Sequence, residues 1–176
     1  MFWLKLVTNF IKILREGQTP AQVAGGFALG SILGLSPMFT LQGILVWFVI
    51  LVLDVNLSAA TFSLGVFALI AYIFDPLFHR LGYFLLANIE GLRALWTALY
   101  NAPLAPLTRF NNTVVLGSFV SALILFTPIY LGMKKFVIVY RATLGVRIRK
   151  MKVYQIIDRS SLVQWYRRVR DLGSVL

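Results

Sequence analysis

Cysteine is absent from the 176 residues. That removes disulfides, thiolate nucleophiles, cysteine-ligated metals and iron–sulfur clusters. Histidine occurs once, at His79, so no multi-histidine metal centre can form within one chain. The Gly-rich Lys-Ser/Thr loop that cradles nucleotide phosphates is missing, and the chain is not expected to use ATP itself. Ser31 and Ser36 have no histidine in their own segment, so no nucleophile–base pair is visible. Together these absences predict a protein with no catalytic residues, no metal and no cofactor, hence not an enzyme. Charge is scarce as well: charged residues make up 13%, against about 25% in a soluble domain.

Hydrophobic residues, by contrast, reach 59%, and the pattern they form is that of an all-α integral membrane protein. Residues 1–16 place Trp3, Leu6, Val7, Phe10, Ile13 and Leu14 opposite Lys5, Asn9, Lys12 and Glu16. That spacing predicts an amphipathic helix lying in the membrane interface. It has neither the uninterrupted apolar core nor the cleavage site of a secretory signal. The membrane domain is expected over 17–133. Thr19 and Pro20 supply an N-cap and a first helical residue. The helix they start carries Gly26, Gly30 and Gly34 at i, i+4, i+8, three bare backbone patches on one face. In lipid such a face lets helix backbones approach closely.

This glycine helix ends at Ser36-Pro37 and is too short to cross alone, since about 15 residues rise about 22 Å against a hydrocarbon core of about 30 Å. The next apolar stretch, 38–53, is also short. The two predict a helical hairpin, either re-entrant or fully spanning. Two longer segments follow. Leu57–Phe74 is a full apolar run that Asp75-Pro76 interrupts before helical character resumes over 77–87. Asn88–Tyr100 is amphipathic, with Ile89, Leu92, Trp96 and Leu99 opposite Glu90, Arg93 and Thr97. Thr113–Met133 is the clearest span, closed by Lys134-Lys135.

Residues 134–176 form a basic tail with eleven Lys and Arg against Asp158 and Asp171, which include Lys134, Lys135, Arg147, Arg149, Lys150, Arg167 and Arg168. A basic excess directly after an apolar segment orients that end to the cytoplasm and attracts anionic phospholipid. Membrane anchoring explains the charge without nucleic acid as a partner. Ser161–Asp171 reads as a second amphipathic interfacial helix. The alternation in Val146–Arg149 and Met151–Val153 has the period of a half-buried strand, or belongs to a lipid-bound basic stretch. With both ends cytoplasmic the crossings are even in number: two if the hairpin is re-entrant, four if it spans.

Polar groups inside apolar segments are candidate sites by default. Gln42 lies one turn into the second arm of the hairpin. It is either a hydrogen bond between helices, to a backbone group exposed beside the glycines, or part of a lipid site. Asp75-Pro76 either starts the following helix as N-cap and first residue or forms a charged lipid-headgroup site with His79 or Arg80. Gly26, Gly30, Gly34 and Pro37 mark either internal helix packing or a surface for a partner's helix or a lipid chain.

Ala24-Gly-Gly-Phe-Ala-Leu-Gly-Ser-Ile-Leu-Gly-Leu-Ser-Pro37, then Leu41-Gln42-Gly43, Asp54-Val-Asn56, Asp75-Pro76 and Leu81-Gly82 together resemble a bacterial membrane family labelled domain of unknown function 2062. The resemblance covers about residues 18–88 and departs at Asp75, where asparagine is commoner. It implies a cytoplasmic-membrane protein of a diderm bacterium, encoded beside AsmA-like proteins, the long grooved bridges for phospholipid transfer between membranes. The expected role is a non-enzymatic inner-membrane subunit that anchors or supplies such a bridge. A small lipid flippase or carrier, acting alone or as an oligomer, is the alternative.

Overall fold

The structure is a computed structural model that describes residues 18–150, with side chains through Thr143. The interfacial helix expected over 1–16, the helix expected over 161–171, and Arg167 and Arg168 lie outside the described residues. The chain divides into two compact units that meet between Val137 and Ile138; the packing below belongs to the first.

All described elements are helical. α1 (Pro20–Leu35) and α2 (Leu41–Val52) are short, α3 (Leu57–Tyr83) and α5 (Thr113–Lys150) are long, and α4 (Arg93–Asn101) lies between them. A π-helical turn at Phe84–Asn88 and 3-10 turns at Glu90–Leu92 and Ala105–Thr108 complete the connection from α3 to α5.

α1 starts as its sequence dictates. Pro20 fills the first turn, where its missing N–H has no intrahelical partner to lose. Thr19 and Gln22 cap each other reciprocally, which satisfies two otherwise orphaned backbone donors. The helix stops where Ser36 turns extended before Pro37, the Ser36 hydroxyl donating to the Ile32 carbonyl at 2.7 Å. Thr40 then caps α2, accepting from the Gly43 N–H. α2 runs back along α1, because its C-terminal connection returns to the α1 start: the Asn56 N–H donates to the Gln22 carbonyl at 3.1 Å.

Eleven of the sixteen α1 residues are buried, so this helix is apolar all round and sits at the centre of the unit, as such helices do. A Cβ on Gly26 would fall on the Asn56 carbonyl, one on Gly30 on the Ala60 carbonyl, and one on Gly34 within 2.6 Å of the Leu64 carbonyl. The offset between the two helices is constant, so α1 and α3 run parallel at backbone contact. Phe27 packs beside this seam, with its ring centroid 6.0 Å from that of Phe67. α3 and α5 run antiparallel, since a Cβ on Gly82 would strike the Thr113 carbonyl and one on Gly117 the Phe78 carbonyl. Leu29, Ile32, Leu33, Ile50, Phe78 and Ala122 join α1, α2, α3 and α5 in one core.

Leu57–Asn88 and Thr113–Thr143 are long and apolar enough to cross a membrane, with only 17% and 28% of their apolar windows buried. The core helix of a soluble protein would be mostly covered. These two are apolar and largely uncovered, which is how a helix facing lipid reads. The exposed face of α2 carries Ile44, Leu45, Phe48 and Leu51.

Three local expectations are corrected. Asp75 does not cap a new helix: α3 runs unbroken through Pro76, whereas an N-cap needs non-helical backbone. Lys134-Lys135 does not end α5, which continues to Lys150; lysine ends an apolar span but is a good helix former. Val146–Arg149 is therefore helical rather than a strand, and Met151–Val153 lies outside the described residues.

Candidate functional site

The Gly26/Gly30/Gly34 face of α1 is taken up inside the chain. Gly26, Gly30 and Gly34 lie against the chain's own backbone at Asn56, Ala60 and Leu64, so of the two readings of that face the internal helix packing is the one the structure has. Pro37, at the turn, is exposed. Nor do Asp75, His79 and Arg80 form one charged cluster. All three are exposed, and among the described residues no ion pair joins them. His79 instead shares a hydrogen bond with the Thr113 hydroxyl, Nδ1 to Oγ1 2.7 Å, across the α3–α5 contact. Asp75 is one hydrocarbon thickness along α3 from Leu57, about 27 Å at 1.5 Å per residue.

Gln42 is only 8% exposed. Its Nε2 donates to the Thr108 carbonyl at 2.9 Å, while its Oε1 is buried without a partner. The bond ties the start of α2 to the 3-10 turn before α5. That turn leads into Arg109, in the left-handed region at φ 55°, and so aims Phe110 back toward α4. The Phe110 ring stacks on Trp96, centroids 5.8 Å apart and 20° from parallel. Trp96 is fixed in turn by its Nε1 donating to the Leu85 carbonyl at 3.0 Å.

Two cavities share this stacked pair as a common wall. The inner one, about 180 Å³, is lined by Leu99, Val115, Leu116 and Phe119 with Gln42 and Thr108 at its edge, and is almost wholly apolar. The outer one, about 470 Å³, is open and mixed, and presents Arg93, Thr97, Tyr100, Asn101 and Asn111. Among the described residues Arg93 makes no ion pair. The amphipathic pattern of 88–100 is visible in the sequence, and with it Trp96 and Arg93. That Phe110 and Gln42 converge on the same point is not, because it depends on the turn geometry of 105–110.

A third cavity, about 450 Å³, lies at the opposite end of the unit, where α1 begins, between Gly25, Leu29, Asp54, Val55, Phe126 and Tyr130. There the Asp54 carboxylate accepts from Gln22 Nε2, and Lys134 Nζ lies 6.0 Å from the Tyr130 ring centroid. Lys135 is exposed one residue on. Arg147, Arg149 and Lys150 belong to the last turns of α5.

The buried hydroxyls of Ser31 and Ser118 are tied to helix backbone, Ser31 donating to the Ala28 carbonyl at 2.7 Å and Ser118 to that of Val115 at 3.1 Å. Thr40 donates to the Pro37 carbonyl in the turn at 2.8 Å, and the Ser63 hydroxyl is buried on α3 without a partner among the described residues. Among the described residues no group of three His, Cys, Asp or Glu could hold a metal.

Comparison with known proteins agrees with the sequence pattern. An uncharacterized protein of Treponema pallidum (strain Nichols) is 26% identical over 159 residues, covering 90% of this chain and 98% of that protein. No solved structure matches. The profile of a bacterial family described as "Uncharacterized protein conserved in bacteria (DUF2062)" matches residues 5–143, and the chain belongs to that family.

Proposed function

We propose that the protein is a non-enzymatic subunit of the bacterial inner membrane that handles phospholipid for an AsmA-like bridge, with its basic tail in the cytoplasm. The observation that carries this reading is the half-length hairpin. α1 draws level with the start of α3 at Gly26, nearly two turns in, and ends beside Leu64 and Phe67, about 15 Å along α3, while α3 goes on to about 40 Å. In a bilayer entered from the Lys134-Lys135 side, the hairpin is re-entrant and the chain crosses twice, on α3 and α5. The hairpin tip then props an aromatic, partly open chamber near the far leaflet, tied by Gln42 to Thr108. Support for a non-enzymatic role comes from Ser31, Thr40 and Ser118, whose hydroxyls donate to nearby backbone carbonyls, and from the burial of Ser63 with no hydrogen-bonded base beside it among the described residues.

The test is purification of the full chain from its own host in mild detergent after cross-linking in cells. An AsmA-like protein and anionic phospholipid are expected with it. Repeated recovery of the chain with neither overturns the proposal. A pair of half-length helices meeting inside the bilayer is also a device of carriers, and it favours flippase activity as the second reading. Transfer of labelled phospholipid between leaflets by the pure chain in vesicles is the result that would select it.

A further inference from the structure

The two chambers that share the Trp96–Phe110 wall differ in polarity in the order an amphiphile requires. The outer chamber offers a guanidinium, two carboxamides and a phenol: Arg93, Asn101, Asn111 and Tyr100. The inner one offers hydrocarbon and ring faces. An apolar cavity of about 150 Å³ stays dry and accepts a benzene-sized guest, so the inner chamber suits the end of one acyl chain and not a whole lipid. Arg93 is exposed and makes no ion pair among the described residues. Guanidinium binds phosphate in a fork of two hydrogen bonds, and amide donors complete such a site.

Depth agrees with polarity. Leu116, in the inner wall, precedes Lys134 on α5 by about 27 Å of helix rise, one hydrocarbon thickness. The chambers therefore lie at the interface away from the Lys134-Lys135 end, where headgroups are. Trp96 and Tyr100 are residue types that favour that depth.

We infer that this pair of chambers is a binding site for one phospholipid of the leaflet opposite the basic tail. Arg93, with Asn101 and Asn111, takes the phosphate, and one acyl chain passes the Trp96–Phe110 stack into the pocket above Phe119. Gln42 is a positioning residue: it holds the turn that carries Phe110 and touches no headgroup. The inference rests on the membrane reading above and needs no AsmA-like partner, so a failed co-purification and a failed lipid titration are separate results.

The test uses the full chain in detergent with Trp3, Trp47 and Trp165 replaced by Phe, so that Trp96 is the only indole. Phosphatidylglycerol brominated on one acyl chain is the probe, because bromine quenches an indole it touches. Quenching is expected to saturate at one lipid per chain and to be reversed by unbrominated phosphatidylglycerol. Inorganic phosphate should not reverse it, and brominated diacylglycerol should bind much more weakly. Arg93→Gln removes a charge-assisted hydrogen bond from an exposed position and is expected to raise the half-saturating concentration about tenfold. Val115→Phe, which fills the inner chamber, should weaken binding to a similar degree. Quenching that grows linearly with lipid, half-saturation unchanged in Arg93→Gln, or reversal by inorganic phosphate alone would each overturn the inference.

Discussion

Replacing Gly30 by alanine tests the central contact of this fold. In a solvated helix the change would stabilise by about 1 kcal/mol through propensity. Here the new methyl would lie 2.7 Å from both the carbonyl carbon and the Cα of Ala60, against an optimum of about 3.5–4.0 Å between carbons. Backbone on both sides leaves no rotamer to move, so α1 and α3 must separate by about 1 Å. A gap of that size forfeits about a quarter to a half of each neighbouring dispersion contact, and overpacking of this kind costs about 1–3 kcal/mol. The expected net loss is about 2 kcal/mol, or about 4–8 °C in melting temperature for a chain of this size. Gly132→Ala is the matched control, because its Cβ meets nothing within 4 Å. Both variants would be melted in the same detergent, followed by tryptophan emission. Gly132→Ala should melt at or slightly above the parent. A Gly30→Ala protein as stable as Gly132→Ala would refute the close-approach argument.

Gln42→Glu puts a buried carboxylate against the Thr108 carbonyl and should lower stability by several kcal/mol, while Gln42→Leu, which also removes the orphaned Oε1, should cost about 1 kcal/mol; equal melting of the two would refute the bond's assignment. Thr19→Ala removes one half of the α1 capping box and should cost about 1 kcal/mol, seen as faster amide exchange at Gln22. Because the chain has no cysteine, Asn111→Cys and Lys135→Cys each give a unique thiol. An impermeant maleimide should reach them from opposite faces of the membrane, and labelling of both from one face would overturn the two-crossing topology.

Much of this architecture is legible in the sequence, and the misreadings share a physical cause. α3 and α5 announce themselves by the long apolar runs 57–74 and 113–133, and Thr19-Pro20 and Ser36-Pro37 fix the ends of α1 by local backbone chemistry. The spacing of Gly26, Gly30 and Gly34 announces a close approach, but spacing on one helix carries no information about which backbone fills it. That α3 does so, in parallel, follows from the length of the α2 return, a tertiary property. Asp75-Pro76 is misleading because a missing N–H and an acidic side chain describe a helix start equally well as a helix interior whose freed carbonyl is satisfied elsewhere. The chambers around Trp96 depend on the left-handed backbone at Arg109, and an arginine there gives no hint of it, since this conformation ordinarily selects glycine or asparagine.

The parallel seam between α1 and α3 also constrains how the protein is made. The glycine helix leaves the ribosome before α3, yet its Gly26/Gly30/Gly34 face is covered by the start and first turns of α3, and other sides by α2 and α5. Until those arrive, an apolar helix buried on all sides in the finished fold is left with its faces uncovered. α1 is thus made before the helix that covers its glycine face, and formation of α3 is the event that completes its packing.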